Sequence, residues 1–252
     1  MVKNIGLGQY IPGNSILHRL DPRSKVIGTV ILVVGTFTSA YPVETGIFLG
    51  TVLILGALSQ VGIRYYFDSL KPLLYLILIT AFFQVLLAEE ELGQRFDAAL
   101  NLGLRLFIII FSMQVLMGTT SPLSLTSGME KMLSPLKRIK FPVHELIMIM
   151  TISLRFIPLY IEDWERIKKA QMSRGINFEE KSIIKRLKNY ISVLIPLLRI
   201  SFQRAVDLAT AMESRCYQGE GERSHLNVLK FTPYDFMYIG IIGGVWLITI
   251  WL

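Results

Sequence analysis

The sequence is poor in the residues and motifs from which soluble enzymes build their sites. One residue of 252 is a cysteine, Cys216, so no disulfide can form within the chain. No GxxxxGK[ST] loop for nucleotide phosphates occurs, and the three histidines, His18, His144 and His225, lie far apart and outside any HExxH pattern. We therefore predict a chain without ATPase activity, metal centre or cofactor of its own.

Charged residues are also scarce, and the apolar residues are clustered. Charged residues make up 18% of the chain, against about 25% in soluble proteins, and hydrophobic residues make up 52%. A helix that crosses a bilayer needs about 17–25 predominantly apolar residues. These features predict an all-α integral membrane protein with five spans, the first two forming a tight hairpin. The predicted spans are about 26–41, 43–62, 70–88, 99–118 and 233–252.

The distribution of charge predicts the orientation of these spans. Basic residues (Lys3, Arg19, Arg23, Lys25) precede the first span, whereas the loop before the fourth contains Glu89, Glu90 and Glu91. Because Lys and Arg favour cytoplasmic loops, we expect a multi-pass protein of the cell membrane whose N-terminus is cytoplasmic.

Three functional regions follow from this reading: an N-terminal membrane domain of four spans (1–118), a polar segment (119–230) and a C-terminal transmembrane helix (231–252). Segment 119–230 holds 18 of the 26 basic and 11 of the 19 acidic residues, so its excess of seven positive charges equals that of the whole chain. We predict that it lies at the cytoplasmic face and contains two long amphipathic helices, 143–174 and 182–215.

The beginning of the first long helix is also apolar enough to be a span. Residues 143–161 include the charged Arg155 and the helix breaker Pro158, which would be costly in lipid. A helix that is only partly embedded, or buried in protein, is therefore the favoured interpretation.

The two long helices resemble each other. Each contains Ile-Pro-Leu and ends in Ala-x-x-Ser-Arg, and we predict hinges at Pro158 and Pro196. An arginine near a helix C-terminus is stabilised by the helix dipole, by about 0.3–1 kcal/mol, which could explain either copy alone. Small neighbours would also let a partner approach each guanidinium, whose five donors suit carboxylates and carbonyls. The candidate docking residues are Ala170, Ser173, Arg174, Gly175, Ala211, Ser214, Arg215 and Cys216.

Several segments together resemble the transmembrane (T) component of energy-coupling factor transporters, the cobalt-transport CbiQ-like family. They are GQYIPGNSILHRLDPRSK (8–25), TTSPLSLTSGMEKMLSPLKRIKFPVHEL (119–146), LRFIPLY (154–160), AQMSRG (170–175) and AMESRCYQGEGERS (211–224). The last two are similar to the paired X-Arg-X motifs of the family, with Cys216 where the first copy has Gly175.

The resemblance implies a non-catalytic coupling subunit of a vitamin or metal-ion importer. Two ATP-binding-cassette ATPase subunits would bind the helix ends, Arg174 in one and Arg215 in the other. A separate substrate-binding membrane (S) subunit would pack on the apolar faces of the same helices and move when the ATPases close on ATP.

Two other functions remain open from the residues alone. A self-contained permease would line several spans with polar residues, and these spans are mostly aliphatic. A membrane-anchored scaffold or enzyme would use its basic segment to bind anionic lipid or nucleic acid. Nucleic acid is not an expected partner, because acidic residues interleave with the basic ones.

Overall fold

The computed structural model describes residues 10–39, 41–87, 92–139, 141–217 and 231–251. All regular structure in these ranges is helical, so the prediction of an all-α protein is confirmed. The helices are α1 (Ile16–Arg19), α2 (Pro22–Thr38), α3 (Pro42–Leu58), α4 (Ile63–Leu87), α5 (Leu92–Thr119), α6 (Pro122–Leu133), a 3₁₀ helix (Ser134–Ile139), α7 (Val143–Ser173), α8 (Ile183–Glu213) and α9 (Pro233–Trp251).

The chain forms two compact units, residues 1–133 with 227–252 and residues 134–226. Helix α6 belongs to the first unit because it lies against α2. A Cβ placed on Gly128 would come within 3.2 Å of the Pro22 side chain. The boundary between the compact units therefore falls at residue 134, whereas the functional division predicted at residue 119 remains a prediction.

Within the ranges that the structure describes, four helices are long and apolar enough to cross a membrane, judged by length and composition. These spans are Ile63–Leu86, Gly93–Thr119, Val143–Ser173 and Pro233–Trp251. Three of them correspond to the predicted spans 70–88, 99–118 and 233–252. The apolar part of α3, Val43–Leu58, is shorter, and α2 has only 17 residues.

Helix α7 meets the criteria for a span by length and composition, and within its own unit few of its side chains are buried. The described residues of this chain therefore do not bury its first half. The other form of the interpretation, a helix only partly embedded in the membrane, stays a prediction.

Helix α2 occupies the centre of the first unit and contacts α3, α5, α6 and α9. A Cβ on Gly28 would lie 2.5 Å from the Tyr238 ring of α9, and one on Gly35 would lie 2.6 Å from the Phe48 ring of α3. Because these glycines have no side chain, the neighbouring helices can approach α2 closely, as small residues commonly allow in membrane proteins. Thus α2 is a short central helix with one buried face, while Val30, Val34 and Phe37 on its other side are exposed.

The first turns of α2 and α9 are joined by one buried carboxylate. Asp235 has no exposed surface and accepts hydrogen bonds from the backbone N–H groups of Asp21 (2.8 Å) and Thr232 (2.7 Å). The hydroxyls of Ser24 and Thr232 also donate to it, each at 2.6 Å. Helix α2 itself begins after Asp21, whose side chain caps the helix by accepting a hydrogen bond from the Arg23 N–H.

Candidate docking site at two helix ends

The second unit consists mainly of α7 and α8, whose bounds agree with the predicted helices 143–174 and 182–215 within two residues. Pro158 and Pro196 lie inside these helices, and both helices continue past them. A proline in a helix removes one backbone hydrogen bond, so each remains a position where bending costs less. Their role as hinges is still a prediction.

An ion pair and a set of aromatic rings join the two helices. The Arg204 Nη1 atom of α8 lies 2.5 Å from Oδ2 of Asp163 on α7, whose side chain is buried. The Arg204 guanidinium is also 5.8 Å from the centre of the Tyr160 ring. Nearer the start of α8, the rings of Trp164 and Tyr190 stack with their centres 6.0 Å apart. These contacts hold α7 and α8 together at two levels.

The connection between α7 and α8 is also held in place. Phe178, which is buried, lies 5.4 Å from the Tyr190 ring, and the Lys168 ammonium is 5.6 Å from the centre of the Phe178 ring. The Asn189 side chain donates a 2.6 Å hydrogen bond to the carbonyl of Asn177. The end of α7 is therefore fixed against the first turns of α8.

The end of α7 forms a Schellman turn around Arg174. The N–H of Gly175 donates to the Met172 carbonyl (3.0 Å), and the N–H of Ile176 donates to the Gln171 carbonyl (3.2 Å). Gly175 has the left-handed φ of +88° that this turn requires. The Ser173 hydroxyl bonds the Ala170 carbonyl at 2.8 Å.

The end of α8 repeats this geometry around Arg215. The N–H of Cys216 donates to the Glu213 carbonyl (2.9 Å), and the N–H of Tyr217 donates to the Met212 carbonyl (2.9 Å). Cys216 has a φ of +56°, and the Ser214 hydroxyl bonds the Ala211 carbonyl at 3.0 Å. The recurring Ala-x-x-Ser-Arg sequence is therefore a recurring backbone structure. The remainder of the second motif, residues 218–224, lies outside the described residues.

Both arginines are presented to the outside of the second unit. Their side chains are exposed, and neither guanidinium has an ion pair or hydrogen bond to any residue that the structure describes. The small neighbours Ala170, Ser173, Ala211 and Ser214 are exposed as well. Each serine hydroxyl is used locally, so it closes the helix end, while the arginine remains available to a partner.

The two helix ends are too far apart to enter one pocket. Arg174 lies three residues from Asn177, which is bonded to Asn189 at the beginning of α8. Arg215 follows Asn189 by 26 residues, roughly 39 Å along a helix. Allowing for the short chain between Arg174 and Asn177, the two arginines are on the order of 20 Å or more apart. A partner that bound both arginines would therefore need two separate surfaces.

The left-handed residue after each arginine gives a matched pair of predictions. We expect Gly175→Ala to destabilise the end of α7 by about 1–2 kcal/mol, because an L-residue is strained at that φ, although the space around the new Cβ is empty. Cys216→Gly should stabilise the end of α8 by about 0.5–1 kcal/mol for the converse reason. Hydrogen exchange of the Ile176 and Tyr217 amides measures both. Equal protection in wild type and the two variants would contradict the backbone account.

The residues that hold α7 to α8 were not predicted from the sequence. Asp163 and Arg204 each lie eleven residues before their arginine, Arg174 or Arg215. That equal spacing is the one signal that could have paired them. Phe178 and Tyr190 carry no comparable signal. Among the residues that the structure describes, no group of three His, Cys, Asp or Glu side chains could hold a metal ion.

Comparison with known proteins shows which family the sequence of this chain matches. Residues 13–226 match the family model described as cobalt transport protein, CbiQ. An energy-coupling factor transporter transmembrane protein, EcfT, of Ruminiclostridium cellulolyticum is 38% identical over 252 residues, covering 96% of this chain and 94% of the relative. The proteins of the same name from Thermanaerovibrio acidaminovorans and Brevibacillus brevis are each 40% identical, covering 96% and 99% of this chain and 93% and 97% of the relatives.

Proposed function

The chain belongs to the cobalt transport protein (CbiQ) family and is a transmembrane component of energy-coupling factor transporters, and on this premise we propose that it couples two ATPase subunits to a substrate-binding membrane subunit. The two Arg-tipped helix ends carry this proposal. Their matching turns present one exposed guanidinium each, at separate places, which suits two similar docking grooves on two ATPase subunits.

The orientation follows from charge. The basic second unit would face the cytoplasm, where ATP is available, and the N-terminus would lie on the same side. Arg174 would enter a groove of one ATPase subunit, and Arg215 would enter the equivalent groove of the other. The residues Ala170, Ser173, Gly175, Ala211, Ser214 and Cys216 would let the ATPase surfaces approach the two guanidinium groups.

The substrate-binding subunit would pack on an apolar stripe of α8. This α8 stripe consists of exposed apolar side chains that recur every three or four residues along the helix. Its members are Ile183, Ile184, Leu187, Ile191, Leu194, Ile195, Leu198, Phe202 and Val206. Tyr190, Val193 and Arg204 lie on the side of α8 that is turned toward α7 or buried. The stripe therefore remains uncovered when the two helices pack together.

A mechanism follows from these placements. ATP-driven closure of the two ATPases would move the Arg174 and Arg215 ends relative to each other. The Asp163–Arg204 ion pair would keep α7 and α8 in contact during that movement, and bending at Pro158 and Pro196 would accommodate it. The displaced stripe would tip the substrate-binding subunit in the membrane, so that a vitamin or metal ion bound there is released inside.

Reconstitution tests the proposed function directly. The chain, the two ATPase subunits and the substrate-binding subunit of the same genome should form one complex that imports substrate only with ATP. Substrate uptake by the chain alone in proteoliposomes, without ATPase subunits, would instead support a self-contained permease.

A double substitution in the α8 stripe should separate binding of the substrate-binding subunit from binding of the ATPase subunits. Ile195→Gln with Leu198→Gln should release the substrate-binding subunit, because two polar amides replace apolar side chains in the centre of a desolvated contact. Both ATPase subunits should still co-purify. Arg199→Gln is the matched control, since it places the same side chain on an exposed neighbouring position outside the stripe. If this control releases as much substrate-binding subunit as the stripe variant, the stripe does not form the contact.

A further inference from the structure

A groove of about 880 Å³ opens in the first unit between α3 and α9, with α1 at one end. Leu17 and Ile242, which are almost fully buried, form its floor. Ile54 of α3 and Met237 of α9 lie on its walls and are more than half exposed. The groove is therefore an apolar channel along the outside of the unit, and the proposed function does not involve it.

The groove has the length of one leaflet of a bilayer. Its lining residues on α9 extend from Tyr234 to Val245, which corresponds to about 16 Å along the helix axis. The hydrocarbon core of a bilayer is about 30 Å thick, so each leaflet contributes about half of that. Because α9 is a candidate span, the groove would begin at the membrane surface and end near the bilayer centre.

A positive charge lies at the surface end of the groove. Arg19 lines this end together with Thr232, the residue that precedes α9. The Arg19 side chain is exposed and has no ion pair or hydrogen bond to any residue in the described ranges. An apolar channel of leaflet length that ends in a guanidinium complements a molecule with an acyl chain and an anionic headgroup.

We propose that this groove binds an anionic phospholipid, with the phosphate on Arg19 and one acyl chain between α3 and α9. A transmembrane helix of another chain would match the apolar walls but brings no anionic group of its own to Arg19 at the surface end of the groove. The volume lies in the range of small-ligand sites, about 300–1,000 Å³.

Native mass spectrometry of the full chain extracted from phosphatidylglycerol and phosphatidylcholine nanodiscs tests the proposal. The wild type should retain phosphatidylglycerol in preference to phosphatidylcholine. Arg19→Gln should lower retained phosphatidylglycerol about fivefold, the contribution of one basic side chain beside an anionic membrane surface. Arg64→Gln, which removes an exposed arginine of the same unit outside the groove, is the control. Equal losses in the two variants would overturn the proposal.

Two further measurements identify the occupant. A benzophenone amino acid at Met237 should yield, after irradiation in cells, an adduct with the mass of an anionic phospholipid; an adduct with a polypeptide would overturn the proposal. Leu58→Trp, which places an indole in the groove, should lower lipid retention while Arg19 is intact. Unchanged retention in Leu58→Trp would show that the lipid binds elsewhere.

Discussion

Replacing both exposed arginines by alanine, in the variant Arg174→Ala with Arg215→Ala, is expected to abolish co-purification of the ATPase subunits. Each arginine would be a charged group buried on docking, and removal of one partner of such a contact typically costs about 2–5 kcal/mol. Even the lower value corresponds to roughly a 30-fold loss of affinity at each site. Because the two ends are separate, the losses should be nearly additive.

Single variants and a lysine variant show how the arginines act. Arg174→Ala and Arg215→Ala should each weaken assembly by a similar factor, since the two ends have the same backbone structure. Arg174→Lys with Arg215→Lys keeps both charges and loses the planar fork of donors, so we expect most of the affinity to be lost. Full retention in the lysine variant would indicate general charge attraction instead.

The control for the alanine variant uses two exposed cations, one just before α8 and one in its first turn. Lys181→Ala with Lys185→Ala removes the same number of positive charges from the same unit. This variant should retain both ATPase subunits. The docking proposal is falsified if the double arginine variant retains both subunits at wild-type stoichiometry.

The helix ends were predictable because their signals are local. The serine bonds a carbonyl three residues earlier, and the turn needs a left-handed residue after the arginine. All of these groups lie within six residues of one another. A glycine such as Gly175 is the residue type expected at a left-handed φ. Cys216 adopts the same conformation at a steric cost, and a cysteine is not the residue type that predicts it. The matching structure at Cys216 therefore became visible only in three dimensions.

The contacts that give the helices their arrangement were not predictable, because they join distant parts of the chain. Asp163 and Arg204 read as ordinary charges on exposed helix faces until the helices are seen to pack. Helix α2 reads as a span from its composition, yet close approach at Gly28 and Gly35 makes it a central helix. Hydropathy measures how apolar a segment is. It does not show whether the apolar side chains of that segment face lipid or neighbouring helices.

Asp235 illustrates the same limit at a helix start. Thr232-Pro233 was recognisable as the beginning of α9, and the acidic residue three positions after Thr232 follows the pattern of a capping box. Its second set of donors, Asp21 and Ser24, comes from a part of the chain more than 200 residues earlier. The local pattern predicts a cap, and only the fold reveals a link between α2 and α9.

Asp235→Ala is expected to cause the largest loss of stability of any single substitution in the first unit. It would leave the buried N–H of Asp21 and the buried hydroxyl of Ser24 without their acceptor, and the part-buried N–H and hydroxyl of Thr232 as well. Each buried polar group left unsatisfied costs about 1–3 kcal/mol, so a total of at least about 3 kcal/mol is expected. For a chain of this length that corresponds to roughly 6–12 °C in the thermal midpoint.

Two further variants serve as references for the thermal midpoint of Asp235→Ala, measured in detergent-solubilised protein. Asp235→Asn keeps one carbonyl oxygen but turns an amide donor toward other donors, so its midpoint should lie between those of wild type and Asp235→Ala. Asp97→Ala removes an exposed carboxylate of α5 and should leave the midpoint within about 1 °C of wild type. Hydrogen exchange should increase in the first turns of both α2 and α9 in Asp235→Ala. If exchange rises at α9 alone, the carboxylate is only a helix cap and does not hold the two helices together.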